Sequence, residues 1–454
     1  MATRRLFIAN RGEIALRIVR AAQALDWETV IGVSAADVDS AAAKLADRSV
    51  VLGPGPAGKS YLDPRLVVHA ARETGCTALH PGYGFLSERP VLPRLCEAHG
   101  IVFVGPDADT IEALGDKLRA RAMARAAGVP LVPGSDEIKT PRDARRFADE
   151  IGYPVLLKAS AGGGGRGMVI ARDGAEVETD FARASAEALS AFGDGTLFLE
   201  RFVSRARHVE VQLMGDGLGK VLHFGERDCS VQRRYQKLVE EAPCAAMPDE
   251  LREQLHGAAV SLAASVRYRS AGTAEFLYDV ERQAIYFIEV NARIQVEHPV
   301  SEMITGHDLV QWQLRIAAGE PLALEQADIR PRGHAIECRI NAEDPDHDFR
   351  PSPGRITCWS PPAGEGIRLD SHMAEGAVIP PFYDSMVGKL IVAGETREAA
   401  VARLSEALAA FGIEGLPTTI GLHRRVVSHP DFIANRLHTR WLEQTLLPVA
   451  VAAE

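Results

Sequence analysis

The chain has 454 residues, 46% of them apolar and 25% charged, and a formal net charge of −10. That length exceeds what one hydrophobic core holds and predicts two to four domains. The acidic balance excludes a nucleic-acid footprint or an anionic membrane as partner, and no stretch approaches the roughly 18 apolar residues of a membrane span. The six cysteines (Cys76, Cys96, Cys229, Cys244, Cys338, Cys358) form no C-x-x-C pair. This argues against a structural zinc site and fits a reducing compartment. The apolar stretch Leu6 to Ala9 is too short for a secretory signal, so a cytoplasmic protein is expected.

In chain order, Leu6 to Ala9 reads as a strand and Glu13 to Leu25 as a helix with Ile14, Ile18, Ala21 and Leu25 on one face. Further strands are predicted over 29–33, 49–52 and 101–104. Their alternation with helices predicts a doubly wound parallel sheet over residues 1–114. A helical connector over 110–127 ends at Gly128, with Pro130 beyond it. A smaller segment follows over 131–202 with a glycine run at its centre. From 203 to 446, hairpin-like strands such as 208–213 and 285–296 predict a mixed or antiparallel sheet with helices, including a helix over 398–410. Residues 447–454 form a short tail.

Two glycine motifs fail on context. Gly53 to Ser60 satisfies the P-loop pattern, but Pro54 and Pro56 remove two phosphate-binding N–H groups, and the next helix should start with Asp63 as N-cap and Pro64 at its first position. Gly162, Gly164 and Gly167 fit the dinucleotide fingerprint, yet a strand (Met168 to Ala171) follows rather than a helix. The run is read instead as the tip of a β-hairpin. Flanked by Lys158 and Arg166, it suits a side-chain-free loop closing over a triphosphate.

Residues 287–297 carry the most chemical information. From 289 onward every odd position is polar and every even one apolar, so an extended chain would line Glu289, Asn291, Arg293, Gln295 and Glu297 on one face. A three-residue turn at 281–283 would place Glu275 directly opposite Glu289. Facing carboxylates are destabilising without a cation between them. With the Asn291 amide oxygen they make an all-oxygen set suited to Mg²⁺ on phosphates. A merely solvated face would show scattered Lys, Thr and Ser instead. Arg293 suits a small planar oxyanion, and Glu297 beside it a general base. His208, Glu210 and Gln212 share a strand face, and Gln232 to Lys237 put cations ahead of Glu240-Glu241. Taken alone, each of these two stretches reads as a salt-bridged surface.

The segments Ile8–Ala15, His80–Glu88, Arg293–Val300 and Tyr383–Leu390, in this order along the chain, resemble the signature stretches of biotin carboxylases. The resemblance implies the ATP-grasp fold: an N-terminal α/β domain (1–114), a helical connector (115–130), a mobile lid (131–202) and a C-terminal α+β domain (203–446). It implies nucleotide contacts at Lys117, Lys158, Gly164, Gly165, Glu200, Arg201, Phe202, Val203, His208, Gln232, Tyr235, Glu275 and Glu289. Glu275, Glu289 and Asn291 match ligands of Mg²⁺ or Mn²⁺. Lys237, Arg293, Gln295 and Val296 match bicarbonate positions, Glu297 the base that deprotonates bicarbonate, and Arg339 the residue that stabilises the biotin enolate. The implied reaction joins bicarbonate to the γ-phosphate of ATP as carboxyphosphate. This breaks down to CO₂ and phosphate, and deprotonated biotin takes up the CO₂ at its ureido nitrogen.

Implied partners are a biotin carboxyl carrier protein, a carboxyltransferase and a second copy of the chain. The complete enzyme is expected to be an acyl-CoA carboxylase, with acetyl-CoA first among acceptors, or alternatively a propionyl-CoA, pyruvate or urea carboxylase. The sequence holds no Met-Lys-Met tripeptide, so the biotin carrier is expected in another chain or beyond this one. Tyr235 stands where the family usually has His or Asn, and Ala161 shortens a run that commonly has five glycines. Both are expected to tune nucleotide affinity. A different ATP-grasp ligase would not need Arg339 with the bicarbonate cluster, and a non-catalytic scaffold would be expected to lack Arg293 or Glu297.

Overall fold

A computed structural model describes residues 4–160 and 167–447. Five parallel strands, β1 (Arg5–Ile8), β2 (Glu28–Ser34), β3 (Arg48–Gly53), β4 (Ala78–His80) and β5 (Val102–Phe103), form the first sheet in the order β3-β2-β1-β4-β5. Successive residues of β1 feed opposite cores. Leu6 and Ile8 pack with Ile14, Ile18 and Val19 of the helix Gly12–Gln23, whereas Phe7 and Ala9 pack with Val67 and Ala71 of the helix Pro64–Glu73. Burial on both faces is what a doubly wound sheet requires. Asp63 does cap the second helix, accepting from the Arg65 and Leu66 N–H groups, with Pro64 at its first position. The proline-rich loop before it is a short 3₁₀ turn, Ala57–Lys59.

The connector departs from expectation. It is two helices, Ala108–Gly115 and Lys117–Ala126, broken at Asp116, whose side chain accepts from the Arg119 N–H. A carboxylate that caps the second helix ends the first, and periodicity alone does not show this.

The strands β6 (Val155–Ala159), β7 (Met168–Ala171) and β8 (Leu197–Arg201) form a small antiparallel sheet in the order β7-β6-β8. β6 and β7 are paired as the two arms of the expected hairpin. Its tip, including Ala161, Gly164 and Gly165, lies outside the described residues. The helices Pro141–Ile151 and Gly174–Phe192 pack on this sheet around their own apolar cluster.

The largest sheet has eight strands. In chain order these are β9 (Ala206–Asp216), β10 (Val221–Arg233), β11 (Gln236–Ala242), β12 (Arg269–Asp279), β13 (Ala284–Asn291), β14 (His334–Asn341), and two more over Ile367–Ser371 and Met386–Gly394. Their spatial order is β13-β12-β9-β10-β11-β14, then Met386–Gly394, then Ile367–Ser371, with every neighbour antiparallel. The turn between β10 and β11 places Arg234 (φ 46°) and Tyr235 (φ 66°) in the left-handed region, as a two-residue hairpin turn requires.

Three of the sequence signatures tie the first sheet to the last. Asn10 donates to the Pro81 and Tyr83 carbonyls (2.7 and 2.8 Å), and a side chain at Gly82 (φ 64°) would meet its amide. Arg11 binds Asp37 with both ends of its fork and lies 4.1 Å over the Tyr383 ring. Glu13 reaches the buried Lys389 at 3.1 Å. On the far side, Glu241 accepts from Arg397 (2.7 and 2.9 Å) and His334 (2.9 Å). Burial alone would raise the Glu241 carboxyl, but these donors hold it down at about 2. A depressed acid stabilises above its unfolded value near 4.5 and loses that contribution as pH falls toward 2. Urea unfolding of wild type and E241Q is therefore expected to differ at pH 6, with the difference shrinking below about pH 4.5 and vanishing only as pH falls through about 2.

Candidate active site

The acid pair is present, but a different device sets its register. The β12–β13 loop has four residues, 280–283, and would by itself bring Glu275 opposite Ile288. A bulge between the Phe276–Phe287 and Glu275–Glu289 pairs takes up Ile288 and restores the facing carboxylates. The bulge also accommodates two successive apolar residues. Phe287 packs edge-on against Phe276 in the core, while Ile288 turns toward a cavity.

That cavity, of ≈ 210 Å³, lies between the small sheet and the edge of the large one. It collects Lys117, Lys158, Glu200, Arg201, Phe202, Val203, His208, Gln232, Tyr235, Glu275 and Glu289, which are all the sequence-predicted nucleotide positions that lie among the described residues. Lys158 donates to Glu200 at 2.8 Å, and the buried Arg121, which sequence reading missed, holds the other Glu200 oxygen. Burial lowers the Lys117 ammonium, with Glu289 opposing, while Lys158 lowers it further. A cationic, partly desolvated wall of this kind suits polyphosphate oxygens. Tyr235, 54% exposed, stands at the rim beside Arg440.

The two facing carboxylates differ in state. Burial would raise Glu275, yet Lys237 (3.0 Å) and His208 (2.9 Å) hold it below the usual carboxylate range. Burial, and then Glu275 itself, push Glu289 up. One charge is thus compensated and the second is not, the situation a divalent cation between them would relieve. The Asn291 oxygen accepts from Arg293 at 3.1 Å and has a second lone pair free, while its amide donates to Glu275 at 2.9 Å. The residues present therefore fit a hard cation. His208, Glu210 and Glu275 also cluster within 4.8 Å, but Arg227 and Lys237 already bind Glu210 and Lys237 also binds Glu275, so that set lacks the uncompensated acid that Glu289 supplies.

Beyond Asn291 the expected extended face is not observed. β13 ends there, and residues 292–297 form a loop that turns into the helix His298–Thr305, with Glu297 at its N-cap position. Glu88, the last residue of the His80–Glu88 signature, pulls the chain off the sheet. It accepts from the Ala292 N–H (3.1 Å) and from Arg293 Nε (2.7 Å). Arg293 also holds Gln295 Oε1 at 2.7 Å, and Gln295 reaches Glu275 at 3.3 Å. The residues converge by a loop rather than by strand alternation. Val296 contributes its carbonyl, which accepts from Lys389 at 2.8 Å.

Glu297 is fully buried between two cations. Lys237 donates to it at 2.7 Å and Arg339 at 3.0 Å. Burial would raise this carboxyl, but Lys237, Arg339 and Arg227 hold it well below its ordinary range. Lys237 simultaneously reaches Glu210 at 2.5 Å, and Arg339 Nε reaches Glu240 at 2.6 Å. The stretches around His208 and Lys237, which read as surface, are instead the interior of this cluster: Glu210, Gln212 and Glu240 have no exposed area. Sequence reading missed Arg227, which is wholly buried and bonds Glu210, Gln212, Thr273 and Ser301. An Arg in the middle of β10 opposite Glu210 was the only available signal.

Comparison with known proteins covers nearly the whole chain. Family models for the biotin carboxylase N-terminal domain, the carbamoyl-phosphate synthase L chain ATP-binding domain and the biotin carboxylase C-terminal domain match residues 2–111, 116–325 and 337–444. The chain is 49% identical over 441 residues to a biotin carboxylase of Nostoc sp., covering 97% of this chain and 98% of that one. It is 50% identical to a chloroplastic biotin carboxylase of Arabidopsis thaliana, covering 96% and 82%. The biotin carboxylase domain dimer of the Hydrogenobacter thermophilus 2-oxoglutarate carboxylase, solved with MgADP, ADP and bicarbonate, superposes with a TM-score of 0.92 at 48% identity, covering 97% of both chains. Across the described residues, no helix is long and apolar enough to cross a membrane. With an ATP-grasp cavity, a buried acid–cation cluster and identity near one half from end to end, the chain belongs to the biotin carboxylase family of ATP-dependent carboxylating ligases.

Proposed function

We propose that the protein carboxylates biotin carried on a partner protein, through carboxyphosphate formed from ATP and bicarbonate. The observation that carries this reading is Glu297 suspended between Lys237 and Arg339. Lys237 also touches Glu275 of the acid pair at the nucleotide cavity, so one hydrogen-bonded chain runs from there through Glu297 to Arg339.

Glu275, Glu289 and Asn291 would hold Mg²⁺ or Mn²⁺, which when bound neutralises charge on the phosphates. Lys117 and Lys158 supply cationic contacts on the cavity wall. Arg293, Lys237 and Gln295 orient bicarbonate, and Arg339 receives the ureido oxygen of biotin as its ring is deprotonated. In the resting state Glu297 is a weak base, because its two cations stabilise its charge. Bicarbonate competes for Lys237 and biotin for Arg339. Substrate binding therefore loosens both restraints and raises the basicity of Glu297 where a proton must be taken.

Among the relatives, one belongs to a 2-oxoglutarate carboxylase and another is a pyruvate carboxylase subunit; in our reading a partner carboxyltransferase sets the acceptor. Our reading keeps acetyl-CoA as the first acceptor to test. The Hydrogenobacter domain dimer supports a homodimer; a cytoplasmic location and a biotin carboxyl carrier as partner complete our reading. The decisive experiment measures ADP release and transfer of labelled bicarbonate to biotin. Both should require ATP, bicarbonate and a divalent cation, and biotin should stimulate ADP release. ADP release indifferent to biotin would point instead to a different ATP-grasp ligase.

Tyr235 offers a separate check. Its rim position predicts that Tyr235→His shifts the KM for ATP roughly two- to five-fold, the scale of one aromatic contact, with kcat little changed. An unaltered KM would remove Tyr235 from the nucleotide contacts.

A further inference from the structure

We propose that Glu240 is a positioning residue for the biotin half-reaction, and that a neutral, protonated Glu337 beside it keeps Arg339 shared between Glu240 and Glu297. The proposal rests on the role given to Arg339 above.

β11 and β14 pair so that Glu240 lies directly opposite Glu337, and neither has any exposed area. Two facing carboxylates on one sheet face repel each other. Glu240 has Arg339 Nε at 2.6 Å on one oxygen, but its other oxygen and both Glu337 oxygens find no hydrogen-bond partner among the described residues. A buried carboxylate with no donor is not tolerated as an anion. A proton on Glu337, directed at the free Glu240 oxygen, removes the repulsion and partners two of these three orphaned oxygens.

The surrounding charges agree. Glu337 faces Arg339 on its own strand, Glu240 on β11, Lys389 on the strand Met386–Gly394, and Glu297 at the helix start. Lys389 is already committed to Glu13 and to the Val296 carbonyl. Burial is the largest influence on Glu337 and, with Glu240 and Glu297, pushes it well above the ordinary range. Glu240 is raised by burial to about 7, with Arg339 opposing.

This arrangement has a consequence for Arg339. Its carbonyl is pinned by the Thr419 hydroxyl (3.0 Å) and His423 Nε2 (2.7 Å), so only the guanidinium has freedom. Glu240 anchors the guanidinium by Nε, and the far nitrogen reaches Glu297 at 3.0 Å. One negative charge behind Arg339 balances Glu297 in front and lets the far nitrogens exchange Glu297 for the ureido oxygen. Two negative charges would draw the guanidinium back into the sheet.

The test uses the full chain, free biotin as substrate, and the variants E240Q and E337Q. E240Q should cut biotin carboxylation roughly thirty-fold, the scale of one charge-assisted hydrogen bond, while bicarbonate-dependent ADP release without biotin changes less than about three-fold. E337Q, an uncharged isostere of the protonated acid, should cost less than about five-fold. It should also remove a protonated-carboxyl stretch from the wild-type infrared spectrum at pH 7. Equal loss of both activities in E240Q, an E337Q as damaged as E240Q, or no such stretch would each overturn the proposal. Should E240Q not fold, the infrared difference between wild type and E337Q decides it. Failure of the functional reading itself is distinct, because wild type would then show no biotin-stimulated turnover.

Discussion

Glu297→Gln is expected to lower kcat by about 10²- to 10⁴-fold in both the ADP-release and carboxylation assays, the range of one general base. Glutamine keeps the size of the side chain and can still accept from Lys237 or Arg339, but it cannot take a proton. Its amide must face the other cation, so stability should fall by about 1–3 kcal/mol, a minor part of the effect. Nucleotide affinity should be unchanged, because Glu297 does not line the nucleotide cavity. Binding of MgATP by titration calorimetry, alongside steady-state rates, separates the two. Activity within tenfold of wild type would remove Glu297 from the role of base.

The pH profile tests the same idea without mutation. In the free enzyme Lys237 and Arg339 hold Glu297 well below its ordinary range, and in the loaded enzyme both cations are drawn to substrates. A base works only when ionised, so activity is lost as pH falls through its pKa. The acid limb governed by Glu297 should therefore lie at higher pH in kcat than in kcat/KM.

The largest effect on stability is expected from Lys237→Met. Lys237 is buried against three carboxylates, Glu210, Glu275 and Glu297, at 2.5, 3.0 and 2.7 Å. Arg227, His208 and Arg339 each keep one of them, but the central charge is lost. Removing one partner of a buried ionic cluster costs about 3–5 kcal/mol. The sign with pH follows from linkage. With Lys237 present, Glu275 and Glu297 are depressed, and they stabilise the fold above their unfolded values near 4.5. Without it their folded values rise, the native state binds protons more tightly, and stability falls as pH climbs through that region. The deficit measured by urea unfolding should be larger at pH 8 than at pH 5. A deficit under about 1 kcal/mol at both pH values would show that the cluster does not depend on Lys237.

Much of the site was legible because strands have a fixed period. Glu275 and Glu289 stand out by that repeat, and Arg293 with Glu297 by their residue types although not by their conformation, whereas His208 and Glu210 shared a strand face that read as surface. The Asp63-Pro64 start signal and the strand after the glycine run were equally local, and both correctly removed false nucleotide motifs. The errors arose where a local rule met a distant residue. Strict alternation extended β13 through Glu297, whereas Glu88, over 200 residues away in sequence, bends the chain after Asn291. The turn count gave the right carboxylate pair by the wrong route, since a four-residue loop and the bulge at Ile288 together restore the register.

By itself the sequence determined the layer order, the acid pair on its hairpin and, through family resemblance, biotin as the substrate. Those depend on nearest neighbours along the chain or on motifs that are contiguous. Only the tertiary structure decided which cations neutralise which acids. It placed Arg227 beneath Glu210, Arg121 on Glu200, Lys389 on Glu13, and Glu240 with Glu337 behind Arg339. Each of these pairs joins residues from separate strands or domains. Their energies come from burial and mutual distance, quantities that no spacing along the chain encodes.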